Sequence, residues 1–148
     1  NIEAAADELE SKYLGRQQAW GVGMRGIKEH PLTGIGLNHV RMEPGIGYDR
    51  AHVHNHLLHT AAELGIPGLA AFLAVLCGMG FMAWKVWWRG RDGWMRMAVL
   101  GLGAGQLAHF IWGMGDTLTL GGKPGFMFWI SLALIAGVYH YNGMENRK

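Results

Sequence analysis

The stretch "IPGLAAFLAVLCGMGFMAWKVWW", residues 66–88, contains only one charged side chain, Lys85. A helix that crosses a bilayer needs about 20 predominantly apolar residues, so this stretch is long enough to cross one. Lys85 lies near its end, where a long side chain can reach the membrane surface while its stem stays in the apolar layer. The stretch therefore predicts a transmembrane helix.

Two further apolar segments, 97–115 and 125–141, predict two more spans. Only 16% of the residues are charged, below the roughly 25% usual for soluble domains, and the apolar residues are concentrated after residue 64. The sequence thus predicts an all-α, polytopic integral membrane protein. An outer helix-and-loop region at 1–64 is followed by a transmembrane region of about three helices at 65–148.

The connection between the first two spans carries most of the basic residues near the membrane: Lys85, Arg89, Arg91 and Arg96. Short cytoplasmic loops retain Lys and Arg, so this connection is predicted to face the cytoplasm. Residues 1–64 and the loop at 115–124 then face the opposite side of the membrane.

Composition excludes some classes of partner. A net charge of +2, with dispersed basic residues, does not support a nucleic-acid partner. The single cysteine, Cys77, excludes an internal disulfide and argues against a cysteine-based metal site. The chain begins at Asn1 without an initiator Met or a signal-peptide pattern, and we expect it to be the C-terminal portion of a longer protein.

The outer region begins with apolar residues at helical spacing, which predict a helix over about 4–29. This helix should end at "HPLTGIG", residues 30–36, because Pro31 disfavours helix at the preceding residue and the glycines favour turns. Residues 37–48 show neither helical nor strand periodicity and are predicted to form a loop.

Four histidines occur within "HVHNHLLH", residues 52–59. A zinc site is one interpretation, because imidazole nitrogens bind zinc, and it would make the chain a non-enzymatic membrane module. The residues that follow are helical in character, however, and a helix does not keep all four side chains on one face. For His52, His56 and His59 the sequence favours amphipathic side chains at a water boundary, and the metal site is the alternative.

Two motifs distinguish the outer region. His54 and Asn55 are separated by nine residues from "GIPG", residues 65–68, which leads into the first span. Upstream stand an Arg, a Trp four residues on, and a Pro-Leu-x-Gly-x-Gly turn: Arg16, Trp20, Pro31, Leu32, Gly34 and Gly36. In this order, over residues 16–73, the motifs resemble the O-antigen ligase and O-antigen polymerase family of bacterial membrane glycosyltransferases.

The resemblance implies an enzyme of lipopolysaccharide or other polysaccharide biosynthesis in the bacterial inner membrane, with residues 1–64 in the periplasm. Such enzymes move a glycan from a polyprenyl-pyrophosphate carrier to an acceptor hydroxyl at the periplasmic face, without a metal ion or other cofactor. The acceptor is a lipid A core sugar, a growing glycan or, in a protein O-oligosaccharyltransferase, a Ser or Thr. The family also has further N-terminal transmembrane helices, so this sequence alone is expected to be inactive.

The resemblance also implies roles for individual residues. Removing the acceptor proton requires a base, and the leaving pyrophosphate requires positive charge. His54 matches the family's histidine, and an imidazole, which titrates near neutral pH, suits the base role. Arg16 matches the upstream motif and is assigned to the pyrophosphate. Arg41 and Arg50, on the outer loop, are further candidates, because guanidinium groups bind phosphate bidentately.

Four other residues are expected to support the site. Asn55 is predicted to orient His54 or bond the acceptor, and equally to cap the helix that follows, because Asn is favoured at helix N-caps. Gly65 and Gly68 predict a helix stop, a turn and a new helix that position the site without taking part in chemistry. Asp116 follows the second span on the same side of the membrane as His54 and is a candidate for the same cavity.

Gln106 and His109 lie inside the second span, on successive helical turns. Polar side chains at membrane depth are costly in contact with lipid, and many of them are functional. For both residues the sequence favours a bridge between helices over a part in catalysis.

Overall fold

The structure is a computed structural model that describes residues 2–43, 53–116 and 123–145, with side chains described from Gly15 to Met144 within those ranges. The described residues form four α-helices and one short 3-10 helix and contain no strand, so the all-α prediction is confirmed. In chain order the elements are α1 (Ile2–Glu29), the 3-10 helix (Val40–Met42), α2 (His56–Arg89), α3 (Gly93–Gly115) and α4 (Lys123–Glu145).

Three helices are long and apolar enough to cross a membrane: His56–Arg89, Gly93–Gly115 and Lys123–Met144. They contain the three predicted spans. In the most apolar window of α2, only 6% of the residues are buried within the protein. An apolar helix that is exposed in this way is suited to contact lipid or other membrane helices.

The chain forms two compact units, one comprising residues 1–71 with 113–117, the other 72–112 with 118–148. The first unit thus joins the outer region to the short segment at the end of α3. The two units are defined by contacts within the protein and not by position relative to a membrane. The predicted boundary between the outer region (1–64) and the transmembrane region (65–148) therefore stays a prediction.

Within the first unit, α1 packs through a face of small residues. Val22 is buried in a cluster with Val40, Val53 and Ala62, and a Cβ at Gly23 would lie 3.0 Å from Val53 Cγ1. Small residues allow this close approach of the backbone to its neighbours. The larger side chains of the same helix, such as Trp20 at 44% and Met24 at 49%, remain exposed.

Within the second unit, a polar bridge joins α3 and α4. The buried amide of Gln106 donates through Nε2 to the Phe128 carbonyl, at 2.9 Å, and also contacts the Ser131 hydroxyl. The ring of His109 lies against that of Phe128, with centroids 5.2 Å apart. The expectation that Gln106 and His109 connect helices is confirmed.

Candidate active site

His54 occupies a left-handed backbone conformation, with φ of 55°. This region is disfavoured for residues with a Cβ, although His, Asn and Asp enter it more often than others. The neighbours on both sides are anchored: Val53 is fully buried in the core of the first unit, and Asn55 begins α2. The direction of the imidazole is therefore set by the backbone on either side.

Asn55 is the N-cap of α2, as predicted. Its side-chain oxygen accepts a hydrogen bond from the Leu58 amide at 3.0 Å, and its carbonyl accepts one from the His59 amide at 2.9 Å. Its side-chain nitrogen donates to the Met114 carbonyl at 3.2 Å. Asn55 thus connects the start of α2 with the end of α3.

The imidazole of His54 meets the carboxylate of Asp116, with 3.1 Å between Nδ1 and Oδ1. Because an ionised carboxylate only accepts hydrogen bonds, this contact places a proton on Nδ1, and in a neutral imidazole Nε2 then carries the lone pair. The His54 side chain is 30% exposed, and its ring has no second hydrogen-bond partner among the described residues. Such a pair holds an imidazole in the tautomer that accepts a proton through Nε2.

Two other histidines of the cluster, His56 and His59, are described. His59 Nε2 lies 3.5 Å from Glu63 Oε2, one helical turn away, and His56 is buried with 8% exposure. Among the residues that the structure describes, no group of three or more His, Cys, Asp or Glu side chains could hold a metal ion. His52 lies outside the described residues.

The two sequence motifs contact each other through their backbones. Three hydrogen bonds join them: Ile35 N to Ala62 O at 2.9 Å, Gly36 N to Glu63 O at 3.1 Å and Ile66 N to Pro31 O at 2.8 Å. The turn at 31–36 thereby lies against the point where α2 bends, at Gly65 with φ of 71° and ψ of −178°. The predicted helix stop and restart at this position is confirmed, because the non-helical backbone of Gly65 divides α2 into two helical parts that meet at a kink.

Glycine is required at two positions of this contact, Gly34 and Gly65, and at a third, Gly68, within α2. A Cβ at Gly34 would lie 2.2 Å from the Glu63 carbonyl oxygen, and a Cβ at Gly65 would lie 2.7 Å from the Leu32 carbonyl oxygen. At Gly68 the obstacle is Leu64, whose Cβ would be 2.2 Å away. The two motifs therefore pack against each other where the first part of α2, which begins just after His54, ends at Gly65.

The arginines assigned to pyrophosphate are exposed where they are described. Arg16 lies on α1 and Arg41 in the 3-10 helix. No hydrogen bond or ion pair within the described residues joins either guanidinium to His54 or Asp116. Arg50 lies outside the described residues. The phosphate-binding role of all three stays a prediction.

The sequence made Asp116 a candidate for the same cavity as His54, and the structure confirms that the two side chains meet. The sequence puts it on the same side of the membrane as His54, 62 positions away along the chain, but does not identify it as the partner of the imidazole. The signal that made it a candidate is its position: it is an acidic residue directly after an apolar span, on the side of the membrane predicted to carry the histidine.

The chain is similar to one known family. The family model described as O-antigen ligase matches residues 1–73, a range that contains α1, the 31–36 turn, His54 and the bend of α2. Asp116 lies beyond the matched range. No curated protein and no solved structure matches the chain.

Proposed function

The chain belongs to the O-antigen ligase family, and on this premise we propose that it transfers a glycan from a polyprenyl-pyrophosphate carrier to an acceptor hydroxyl at the periplasmic face of the bacterial inner membrane. The family implies a glycosyltransferase-type enzyme in general terms. The observation that supports the finer proposal is the contact between His54 and Asp116, which provides an oriented base. That pair lies in a compact unit shared by the outer region and the end of a membrane helix.

In the proposed reaction, the acceptor hydroxyl gives its proton to His54 Nε2 while its oxygen attacks the anomeric carbon of the glycan. The carboxylate of Asp116 then stabilises the imidazolium through the proton on Nδ1. The 30% exposure of the His54 side chain supports this role, because an acceptor has to reach the ring. General-base assistance of this kind contributes about 10²–10⁴-fold to a rate.

The second half of the reaction breaks the bond between the anomeric carbon and the pyrophosphate oxygen. The electron pair leaves with the polyprenyl pyrophosphate, whose charge requires nearby cations. We assign this task to Arg16, with Arg41 and Arg50 as further contributors. The exposed guanidinium groups of Arg16 and Arg41 are not engaged by any described residue in a hydrogen bond or ion pair, which leaves them available to a phosphate.

Three acceptors are compatible with this chemistry: the lipid A core, a growing glycan, and a Ser or Thr of a protein. Each presents a hydroxyl, which is the only group of the acceptor that the proposed mechanism at His54 uses. The assay therefore offers all three, with a labelled oligosaccharide on a polyprenyl-pyrophosphate donor, to membranes that contain the protein as it occurs in the cell.

Replacing Asp116 with Asn tests the oriented base. The Asn amide can donate to Nδ1 and so favour the tautomer whose Nε2 carries the proton and cannot accept another. We expect transfer to fall about tenfold to hundredfold, which corresponds to the loss of one charge-assisted hydrogen bond of about 1.5–3 kcal/mol. Transfer of the labelled glycan per molecule of folded protein measures this.

The matched control for that substitution is Asp92→Asn, which changes an exposed aspartate between α2 and α3. It should transfer glycan at the rate of the unmodified protein. Full activity of Asp116→Asn would remove the carboxylate from the mechanism, and an equal loss in both variants would show a non-specific effect of charge.

The orientation in the membrane has its own test. In a Cys77→Ala background, Lys28→Cys places a thiol at the exposed end of α1, and Arg91→Cys places one between α2 and α3. We expect a membrane-impermeant maleimide to label Lys28→Cys in intact spheroplasts and Arg91→Cys only after the membrane is opened, because basic loops stay in the cytoplasm. The reverse pattern would place His54 on the wrong side for a periplasmic reaction.

A further inference from the structure

We propose that Asn55 is a positioning residue, whose single amide group caps two helices at once and thereby places Asp116 beside His54. This inference rests on the proposed function, because it concerns the same oriented base. The proposal gives Asn55 a role beyond capping its own helix. This role does not involve contact between Asn55 and the substrate.

The first observation is that both ends of the amide are engaged. Its oxygen accepts from the Leu58 amide, in the first turn of α2, and its nitrogen donates to the Met114 carbonyl, in the last turn of α3. The first four amides and the last four carbonyls of a helix have no partner within that helix. Asn55 therefore satisfies one such group in each helix.

The second observation is where these two helix ends lead. The residue before Asn55 is His54, and Asp116 follows Met114 by two positions. The three residues from Met114 to Asp116 include Gly115, whose missing side chain leaves the backbone free to adopt many conformations. A fixed Met114 carbonyl limits the positions that Asp116 can reach, and the observed one lies 3.1 Å from the imidazole.

The third observation is the strain at His54. A non-glycine residue in the left-handed region costs about 1–2 kcal/mol and persists only when its surroundings determine it. Here those surroundings are the buried Val53 on one side and Asn55 on the other. The amide of Asn55 thus acts at both helix ends that carry the pair: its oxygen caps α2 directly after His54, and its nitrogen binds the end of α3 two residues before Asp116.

The chemistry of the side chain makes the proposal separable from ordinary capping. Ser and Asp are about as good as Asn at an N-cap, because each offers an oxygen to the first-turn amides. Neither has an amide N–H group to donate to the Met114 carbonyl as Asn55 does. Asn55→Ser and Asn55→Asp therefore retain the cap of α2 and remove the connection to α3.

The test is a double-mutant cycle between Asn55→Ser and Asp116→Asn, with kcat, KM and thermal unfolding measured in membranes or detergent. Alone, Asn55→Ser should lower kcat about tenfold to hundredfold, with KM and the unfolding temperature nearly unchanged. In the Asp116→Asn background it should have little further effect on kcat, because residues that act as one unit are not additive. Gln18→Ser, which removes an exposed amide from α1, should leave all three quantities unchanged.

Several results would overturn the proposal. An unchanged kcat for Asn55→Ser, or losses in kcat that multiply in the double variant, would show that Asn55 does not act through Asp116. A rise in KM with constant kcat would instead indicate direct binding of substrate. If Asn55→Ser fails to fold, Asn55→Asp provides the same comparison, and failure of both to fold would assign Asn55 a structural role only.

The outcome is distinguishable from a failure of the proposed function itself. Full activity of His54→Asn would refute the base and, with it, the reaction scheme. Strong losses for His54→Asn and Asp116→Asn, together with full activity of Asn55→Ser, would leave the base intact and refute only the positioning role of Asn55.

Discussion

Replacing His54 with Ala is expected to lower the rate of glycan transfer by about 10²–10⁴-fold, the usual contribution of a general base. In the proposed mechanism the acceptor hydroxyl then has no group to take its proton, while the donor would still bind through the arginines proposed to meet its pyrophosphate. The loss should therefore appear in kcat. Transfer from a labelled polyprenyl-pyrophosphate donor, in membranes that contain the protein as it occurs in the cell, measures it.

The backbone at His54 requires a second variant. Because φ is 55° there, Ala adds backbone strain of its own, whereas Asn is among the residues that adopt the left-handed region most readily. His54→Asn should therefore fold at least as well as His54→Ala and be equally inactive. A large difference in transfer between the two variants would trace the loss to backbone strain and not to the missing base.

Two other histidines are the controls for the imidazole itself. His30 is exposed at the end of α1, and His30→Ala should be fully active. His59 Nε2 lies 3.5 Å from Glu63 Oε2, and we expect His59→Ala to have only a mild effect on transfer per folded molecule. An equal loss from His54→Ala and His59→Ala would mean that the histidines act as a cluster.

Replacing Gly34 with Ala is expected to be the most damaging substitution for folding. The residue has φ of +66°, and an added Cβ would lie 2.2 Å from the Glu63 carbonyl oxygen. The backbone conformation alone costs about 1–2 kcal/mol for a residue with a Cβ, and the close contact is with backbone, which cannot rotate away. We expect the unfolding temperature in detergent to fall markedly and little protein to accumulate in the membrane.

Gly21 supplies the matched control for Gly34. It lies in α1, and a Cβ there would have nothing within 4 Å. Gly21→Ala should leave the protein unchanged or stabilise it by about 0.5–1 kcal/mol, because Ala is the better helix former. If Gly34→Ala had the same unfolding temperature as the unmodified protein, this would show that the 31–36 turn does not pack against the bend of α2 when the protein is in a membrane or detergent.

The family match and the proposed reaction chemistry involve different parts of the chain. The match ends at residue 73, and it includes His54, the proposed base, but not Asp116. The carboxylate is on the segment that follows α3, which packs with the outer region in one compact unit. A mutational study limited to the matched range would therefore find His54 and miss Asp116.

Several features were predictable because they depend on residues close together in the chain. Three apolar segments of sufficient length determine the membrane helices, Pro31 ends α1 near Glu29, and Asn55 caps the helix that begins at His56. Because Gln106 is polar and lies inside an apolar span, a hydrogen-bond partner within the protein was predictable. The first three features are set within one or two helical turns, and the need of Gln106 for a partner follows from its polarity, although that partner, the Phe128 carbonyl, is 22 positions away.

Other features needed the tertiary structure, because they depend on residues that only folding brings together. The partner of His54 is 62 positions away, and the 31–36 turn meets α2 about thirty positions further along, through backbone groups that carry no sequence signature. Sequence determined which residues have the right chemistry for a base, a cap or a span. Which carboxylate faces the imidazole was decided by the packing of α3's end against the start of α2, since hydrogen bonds of this kind form only at about 3 Å.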